Sequence, residues 1–171
     1  VAAGHNIAIV HGNGPQVGFI LRRAELARGV MHEVPLDSCV ADTQGALGYN
    51  LQMAIGNEIK ARKLARRTAT VVTQVLVDRA DPAFSNPTKP IGPVLKAAPS
   101  AYPYPTRPTA KGLRRVVASP QPLTVVEKRE IKKLIDMGFI VICCGGGGIP
   151  VIREGRRFFG VDAVIDKDLA S

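Results

Sequence analysis

An α/β fold with a largely parallel sheet is what this sequence predicts, and three observations carry the prediction. Short apolar runs of strand character alternate with longer helical stretches. The apolar runs empty into glycine-rich or polar loops, the place where ligands collect in such folds. Pro15 follows the first of those loops, at a position where a helix starts without losing a hydrogen bond.

Taken in order, Asn6-Ile-Ala-Ile-Val10 reads as a buried strand running into His11-Gly12-Asn13-Gly14. A helical pattern extends from Pro15 to about Gly29, and a second helix is expected from Val40 to Leu64. Thr70-Val-Val-Thr-Gln-Val-Leu-Val77 reads as one long central strand. Most of the prolines then fall between Asp81 and Pro122, spaced so that no regular helix or strand is expected to persist, which predicts a loop-rich excursion or small subdomain. Thr124-Val-Val-Glu127 has the pattern of a capping box opening a helix that ends near Gly138. Phe139-Ile-Val-Ile-Cys-Cys144 is a further buried strand, followed by Gly145, Gly146, Gly147 and Gly148. Ile149 to Phe159 reads as a hairpin turning at Glu154-Gly155, and Lys167 to Ser171 as the start of a helix.

With 46% hydrophobic and 22% charged residues, the composition is that of a globular protein rather than a disordered one. No apolar run reaches the roughly 18 residues that span a bilayer, and no secretory leader is visible, so no membrane partner is expected. Cys39 and the vicinal pair Cys143-Cys144 form neither a disulfide framework nor a CxxC zinc pattern, which reads as a reduced, cytoplasmic protein without a protein-bound metal. The net charge of +9 sits largely in clusters at expected helix ends, such as Arg22-Arg23 and Lys60 to Arg67. No nucleic-acid-binding signature accompanies it, and attraction of small anions is the better use of the charge.

The loops carry the chemistry. Gly12, Asn13 and Gly14 would let backbone N–H groups and a helix N-terminus face a phosphate, although a plain tight turn satisfies the same spacing. The loop is neither a Rossmann fingerprint, since Val17 stands where the third glycine belongs, nor a Walker A loop. Gly145 to Gly148 are more glycines than a simple turn needs, as if a ligand lay against bare backbone. Lys89 is set among stiffening residues in Asn86-Pro-Thr-Lys-Pro-Ile-Gly-Pro93, and Asp166-Lys167-Asp168 offers a second lysine. A fixed ammonium suits the charge that spreads over a phosphoryl group in transfer. An ordinary helix N-terminus would equally place carboxylates in its first turn.

His11-Gly-Asn-Gly-Pro-Gln-Val-Gly18, Asn86 to Pro93, Cys144-Gly-Gly-Gly-Gly-Ile-Pro-Val151 and Val164-Ile-Asp-Lys-Asp-Leu-Ala-Ser171 resemble the carbamate kinases of the amino acid kinase family, in order and spacing. Thr43-Gln44-Gly45, Thr73-Gln74-Val75 and Asp81 to Phe84 agree. The resemblance implies a three-layer αβα sandwich, usually a homodimer, with a lid at about 81–122. It implies reversible phosphoryl transfer between ATP and carbamate, giving ADP and carbamoyl phosphate, with Mg2+, in arginine catabolism. Gly12, Asn13 and Gly14 would cradle the phosphoryl group, Lys89 would reach in from the lid, Lys167 would stabilise the transition state, and Asp168 would organise the lysines. Against that family the chain reads as truncated at both ends, lacking the first phosphate loop and the C-terminal nucleotide-binding part. Leu113 stands where tryptophan is usual, Ala118 where proline is usual, and the lid is short and proline-rich. The other readings are a kinase of another small carboxylate, and a non-catalytic remnant serving as a binding or dimerisation module.

Overall fold

A computed structural model describes residues 4–96 and 98–170; Val1 to Ala3, Ala97 and Ser171, the last residue of the fourth motif, lie outside the described residues. Three parallel strands form the first sheet, β1 (Ala8–Ile9), β8 (Phe139–Ile142) and β2 (Arg67–Thr70), in the order β1-β8-β2. The second sheet runs β10-β9-β3-β7, where β3 (Gln74–Val77) lies parallel to β9 (Ile149–Glu154). β10 (Arg157–Gly160) and β7 (Pro122–Val125) close its two sides antiparallel, the β9–β10 pair being the expected hairpin.

Alternation along β8 explains the layers. Val141 and the following Cys143 pack with Ile131, Leu134 and Ile135 of α3 (Lys128–Asp136). Ile140 and Ile142 therefore point to the other face, where α2 (Leu36–Ala61) lies against β2 and β8. Each fully buried Val or Ile contributes about 1.5–3 kcal/mol relative to exposure. α1 (Gly14–Leu26) packs on α2, with Val17, Leu21, Leu36, Cys39 and Val40 in one cluster. α4 (Lys167–Ala170) follows the buried run Ala163 to Ile165.

Four expectations are corrected. The run Thr70 to Val77 is not one strand: it splits into β2 and β3, which belong to different sheets. The change happens at Thr73, which is fully buried; its N–H donates to Gln44 Oε1 at 2.8 Å and its carbonyl accepts from Ile149 N at 2.8 Å. The second helix starts at Leu36, four residues before the expected Val40, because Pro35 sets its first turn and Asp162 Oδ1 accepts from Leu36 N.

The proline-rich stretch does build strands: β4 (Lys89–Val94), β6 (Gly112–Val117) and β5 (Thr106–Thr109) form an antiparallel sheet in that order. Pro90, Pro93 and Pro108 all sit on its two edge strands, β4 and β5, where a missing N–H costs little, and the β4 register slips between Ile91 and Val94. Finally, no capping box forms at Thr124. That residue lies in β7, and Glu127 instead accepts from Gln74 N at 2.7 Å and Gln74 Nε2 at 2.8 Å.

The antiparallel sheet of the proline-rich stretch is seated on the core rather than tethered loosely to it. Ile91 and Val117 join the α1–α2 cluster, and Gly18 of α1 lies so close to Gly92 that a Cβ there would collide with the Gly92 backbone. This close approach gives the third glycine of the first motif a packing reason. At Ala118, where the lid chain rejoins the core, the carbonyl accepts from Val164 N at 3.0 Å.

Candidate active site

Chain geometry brings the glycine loops to one place. β1 and β8 are parallel neighbours, so the loops that follow them, His11 to Gly14 and Cys144 to Gly148, emerge side by side. Gly146 N donates to the His11 carbonyl at 2.7 Å and stitches them together. Asn13 is 3% exposed; its Nδ2 donates to Thr43 Oγ1 at 2.8 Å, and that hydroxyl donates to the Val40 carbonyl at 2.7 Å. The start of α1 is thereby fixed to α2, with Gly14 its first residue and Pro15 just inside.

Gly12, Asn13, Gly14, Lys89, Gly146, Asp166, Lys167 and Asp168 line one cleft of about 190 Å3. Lys89 is delivered by the first residue of β4; its Nζ donates to Asp166 Oδ2 at 2.6 Å. Lys167 Nζ pairs with Asp168, and its aliphatic stem runs past Gly12. Asp166 Oδ1 accepts from Asp168 N at 3.1 Å and fixes the first turn of α4.

Of the four glycines after β8, Gly146 alone reaches the wall of this cleft. The others are explained by packing. A Cβ on Gly147, whose φ is +93°, would sit 2.8 Å from the Ile165 carbonyl oxygen, and one on Gly148 would strike Val75. Gly145 leaves room for the His11 ring and for Gln44. His11 Nδ1 lies 3.1 Å from the Gly12 carbonyl, so this histidine is part of the loop's own structure.

Two groups escaped the sequence reading. Asp166, and not Asp168, meets the lid lysine, because Lys89 arrives from the β4 side while the α4 turn carries Asp168 beside Lys167. Gln44 is 2% exposed and holds both sheet crossings: Nε2 donates to the carbonyls of Thr73 at 3.1 Å and Gly145 at 3.0 Å. Its signal was a pair of polar side chains, Thr43 and Gln44, one turn on from Cys39 and Val40 on the inner face of α2.

Two of these charges, Asp166 and Lys167, are held in their ionised forms. The Lys89 hydrogen bond, then the Asp168 amide, keep the Asp166 carboxyl below its ordinary value of 3.8. Asp168 raises Lys167 above the ordinary lysine value, so its ammonium stays protonated at neutral pH. A depressed carboxyl stabilises the fold fully above 3.8 and loses that contribution as pH falls through its lower folded value. In acid titrations followed by urea unfolding, Asp166→Asn is therefore expected to flatten the loss of stability below about pH 4; an unchanged slope would mean that the pair is absent in solution.

The sequence profile of the amino acid kinase family matches residues 1–170. The chain belongs to the amino acid kinase family. Among individual members, the carbamate kinase of Clostridium perfringens is 49% identical over 98% of this chain and 56% of its own length. The solved carbamate kinase of Giardia lamblia bound to citric acid superposes with a TM-score of 0.93 at 46% identity, covering 99% of this chain and 57% of that one. The same Giardia enzyme bound to AMP-PNP gives 0.86 at 45% identity, with 56% of its chain covered. The chain thus spans a little over half the length of the relatives it matches. The family's α/β fold with parallel strands at its centre is the fold described above. No described helix is long and apolar enough to cross a membrane.

Proposed function

We propose that the protein is a carbamate kinase, transferring a phosphoryl group reversibly between ATP and carbamate to give ADP and carbamoyl phosphate. The observation that carries this is the meeting of the Gly12-Asn13-Gly14 loop, Lys89 and Lys167 in a single cleft. Similarity to carbamate kinases at 49% and 46% identity supports carbamate as the acceptor.

Each part has a physical task. Backbone N–H groups at the start of α1, with the positive end of its dipole, suit the oxygens of a phosphoryl group. Phosphoryl transfer needs little covalent help from the protein, and positioned cations lower the barrier by meeting the charge that develops on the moving group. Lys167 and Lys89 are such cations on two sides of the cleft. Carbamate brings its own anionic oxygen as nucleophile, so no general base is required.

At about 190 Å3 the cleft is smaller than the roughly 300–1,000 Å3 of sites that enclose drug-sized ligands. It suits a carbamate and the group in transfer. We therefore assign this segment the carbamate and phosphoryl part of the site, and the adenine end of ATP to parts of the relatives outside the matched segment. Among the described residues no group of three or more His, Cys, Asp or Glu could hold a resident metal, so Mg2+ is taken to arrive with the nucleotide as part of that substrate. A homodimer and a cytoplasmic location belong to the same proposal; the three cysteines are buried and unpaired.

The test is direct. The full-length protein carrying this segment is expected to form ATP from ADP and carbamoyl phosphate in the presence of magnesium, read by a luciferase assay. A folded protein that makes no ATP would reject carbamate kinase.

A further inference from the structure

We propose that Asp166 is a positioning residue for the reaction: it holds the lid lysine Lys89 over the phosphoryl cradle and competes with the ground-state phosphate for that lysine. The inference rests on the phosphoryl-transfer reading of the cleft and assigns it a residue that motif reasoning passed over in favour of Asp168.

The geometry separates the two carboxylates. Asp166 bonds across elements, from the turn before α4 to the first residue of the lid sheet, 77 positions away in the chain. Asp168 bonds to Lys167, its immediate neighbour. Of the two carboxylate contacts, it is therefore that of Asp166 that ties the lid to the core at the cleft. Lys89 and Asp166 are both about one-third exposed, at 31% and 35%, so an entering anion can reach the pair. The other face of Asp166 is engaged too, since its Oδ1 accepts the Asp168 amide, and the carboxylate cannot rotate freely away.

Two consequences follow from the charges. A carboxylate lining the cleft repels a phosphate and already engages one of the three Lys89 donors, which weakens ground-state binding. The same carboxylate restricts where the long lysine side chain lies, so the ammonium is in place when charge spreads over the moving group. Interactions realised more fully in the transition state than in the ground state raise turnover, and Asp166 biases Lys89 in that direction.

The proposal predicts opposite signs for binding and rate. In Asp166→Asn, the amide oxygen keeps an acceptor for the Asp168 N–H, so the α4 turn is retained while the charge is lost. Inorganic phosphate, titrated by calorimetry, is expected to bind about threefold to tenfold more tightly, while kcat for ATP formation falls about tenfold. Asp166→Glu keeps the charge and is expected to hold phosphate affinity near the starting value and recover most of the turnover. In a Lys89→Met background the Asp166→Asn change is expected to have almost no further effect on kcat, because the two act as a unit. Weaker or unchanged phosphate binding in Asp166→Asn, an unaltered kcat, or additive effects with Lys89→Met would overturn the proposal. The phosphate titration needs no turnover. Failure to form ATP in the starting protein would thus sink the carbamate kinase reading, while the sign of the affinity change would still decide Asp166.

Discussion

Lys167→Ala is expected to lower turnover roughly a hundredfold or more, with the fold intact and the KM for carbamoyl phosphate changed far less. The expectation starts from exposure. The Lys167 side chain is 45% exposed, so its removal opens no cavity in the core. Its stem crosses Gly12 and its ammonium is kept charged by Asp168, on the wall of the cleft formed by the phosphoryl loop. A positive charge fixed there meets negative charge as it spreads over the equatorial oxygens, and the other lysine lining the cleft, Lys89, comes from the β4 side. Loss of a single such donor in other sites costs about 3–4 kcal/mol of transition-state stabilisation, which is the source of the hundredfold figure. Steady-state kinetics with circular dichroism as the folding control decides the point. Turnover within threefold of the starting protein would place the catalytic cation elsewhere.

Legibility in the sequence followed distance along the chain. The phosphoryl loop, the lid lysine and the Asp166-Lys167-Asp168 turn could be read because each is a local pattern at the end of an apolar run, and a parallel sheet gathers such ends. What escaped was decided by partners far away. Thr70 to Val77 has uninterrupted strand propensity, and the chain changes sheets at Thr73 because of distant partners: Gln44, 29 positions before it, and Cys144 and Ile149 far beyond it. The prolines of the lid argued against strands, because edge positions cannot be recognised until β6 is known to lie between β4 and β5. Thr124 and Glu127 had the right spacing for a cap, yet Glu127 bonds to Gln74 of the neighbouring strand instead. Asp166 and Asp168 are equivalent as a triplet; the direction from which Lys89 arrives distinguishes them.

Gln44→Leu is expected to destabilise the fold by about 2 kcal/mol and to lower activity although Gln44 does not line the cleft. Gln44 bonds to both crossings between the two sheets, as the Thr73 hydroxyl does: it accepts from Thr73 N and donates to the carbonyls of Thr73 and Gly145. Leucine matches its volume approximately and makes none of these bonds. The Thr73 carbonyl keeps Ile149 N and the Gly145 carbonyl keeps Gly148 N, but the buried Thr73 N–H loses its partner. Such an orphan costs about 1–3 kcal/mol. Against a total stability of about 5–15 kcal/mol, the change is large and is readable as a shift of the urea midpoint at constant slope. Activity falls because Gly145 opens the turn whose next residue, Gly146, is bonded to His11 beside the phosphoryl loop, so loosening it moves the cleft wall. Gln44→Glu sharpens the test: it can still accept from Thr73 N, but at neutral pH its carboxylate faces two carbonyl oxygens with no proton to share. It is expected to be at least as destabilising as Gln44→Leu at pH 7 and to recover as the pH is lowered toward carboxyl protonation. A loss below about 1 kcal/mol in Gln44→Leu would mean that water takes over these bonds and that the two sheet crossings are held by packing and by their remaining hydrogen bonds.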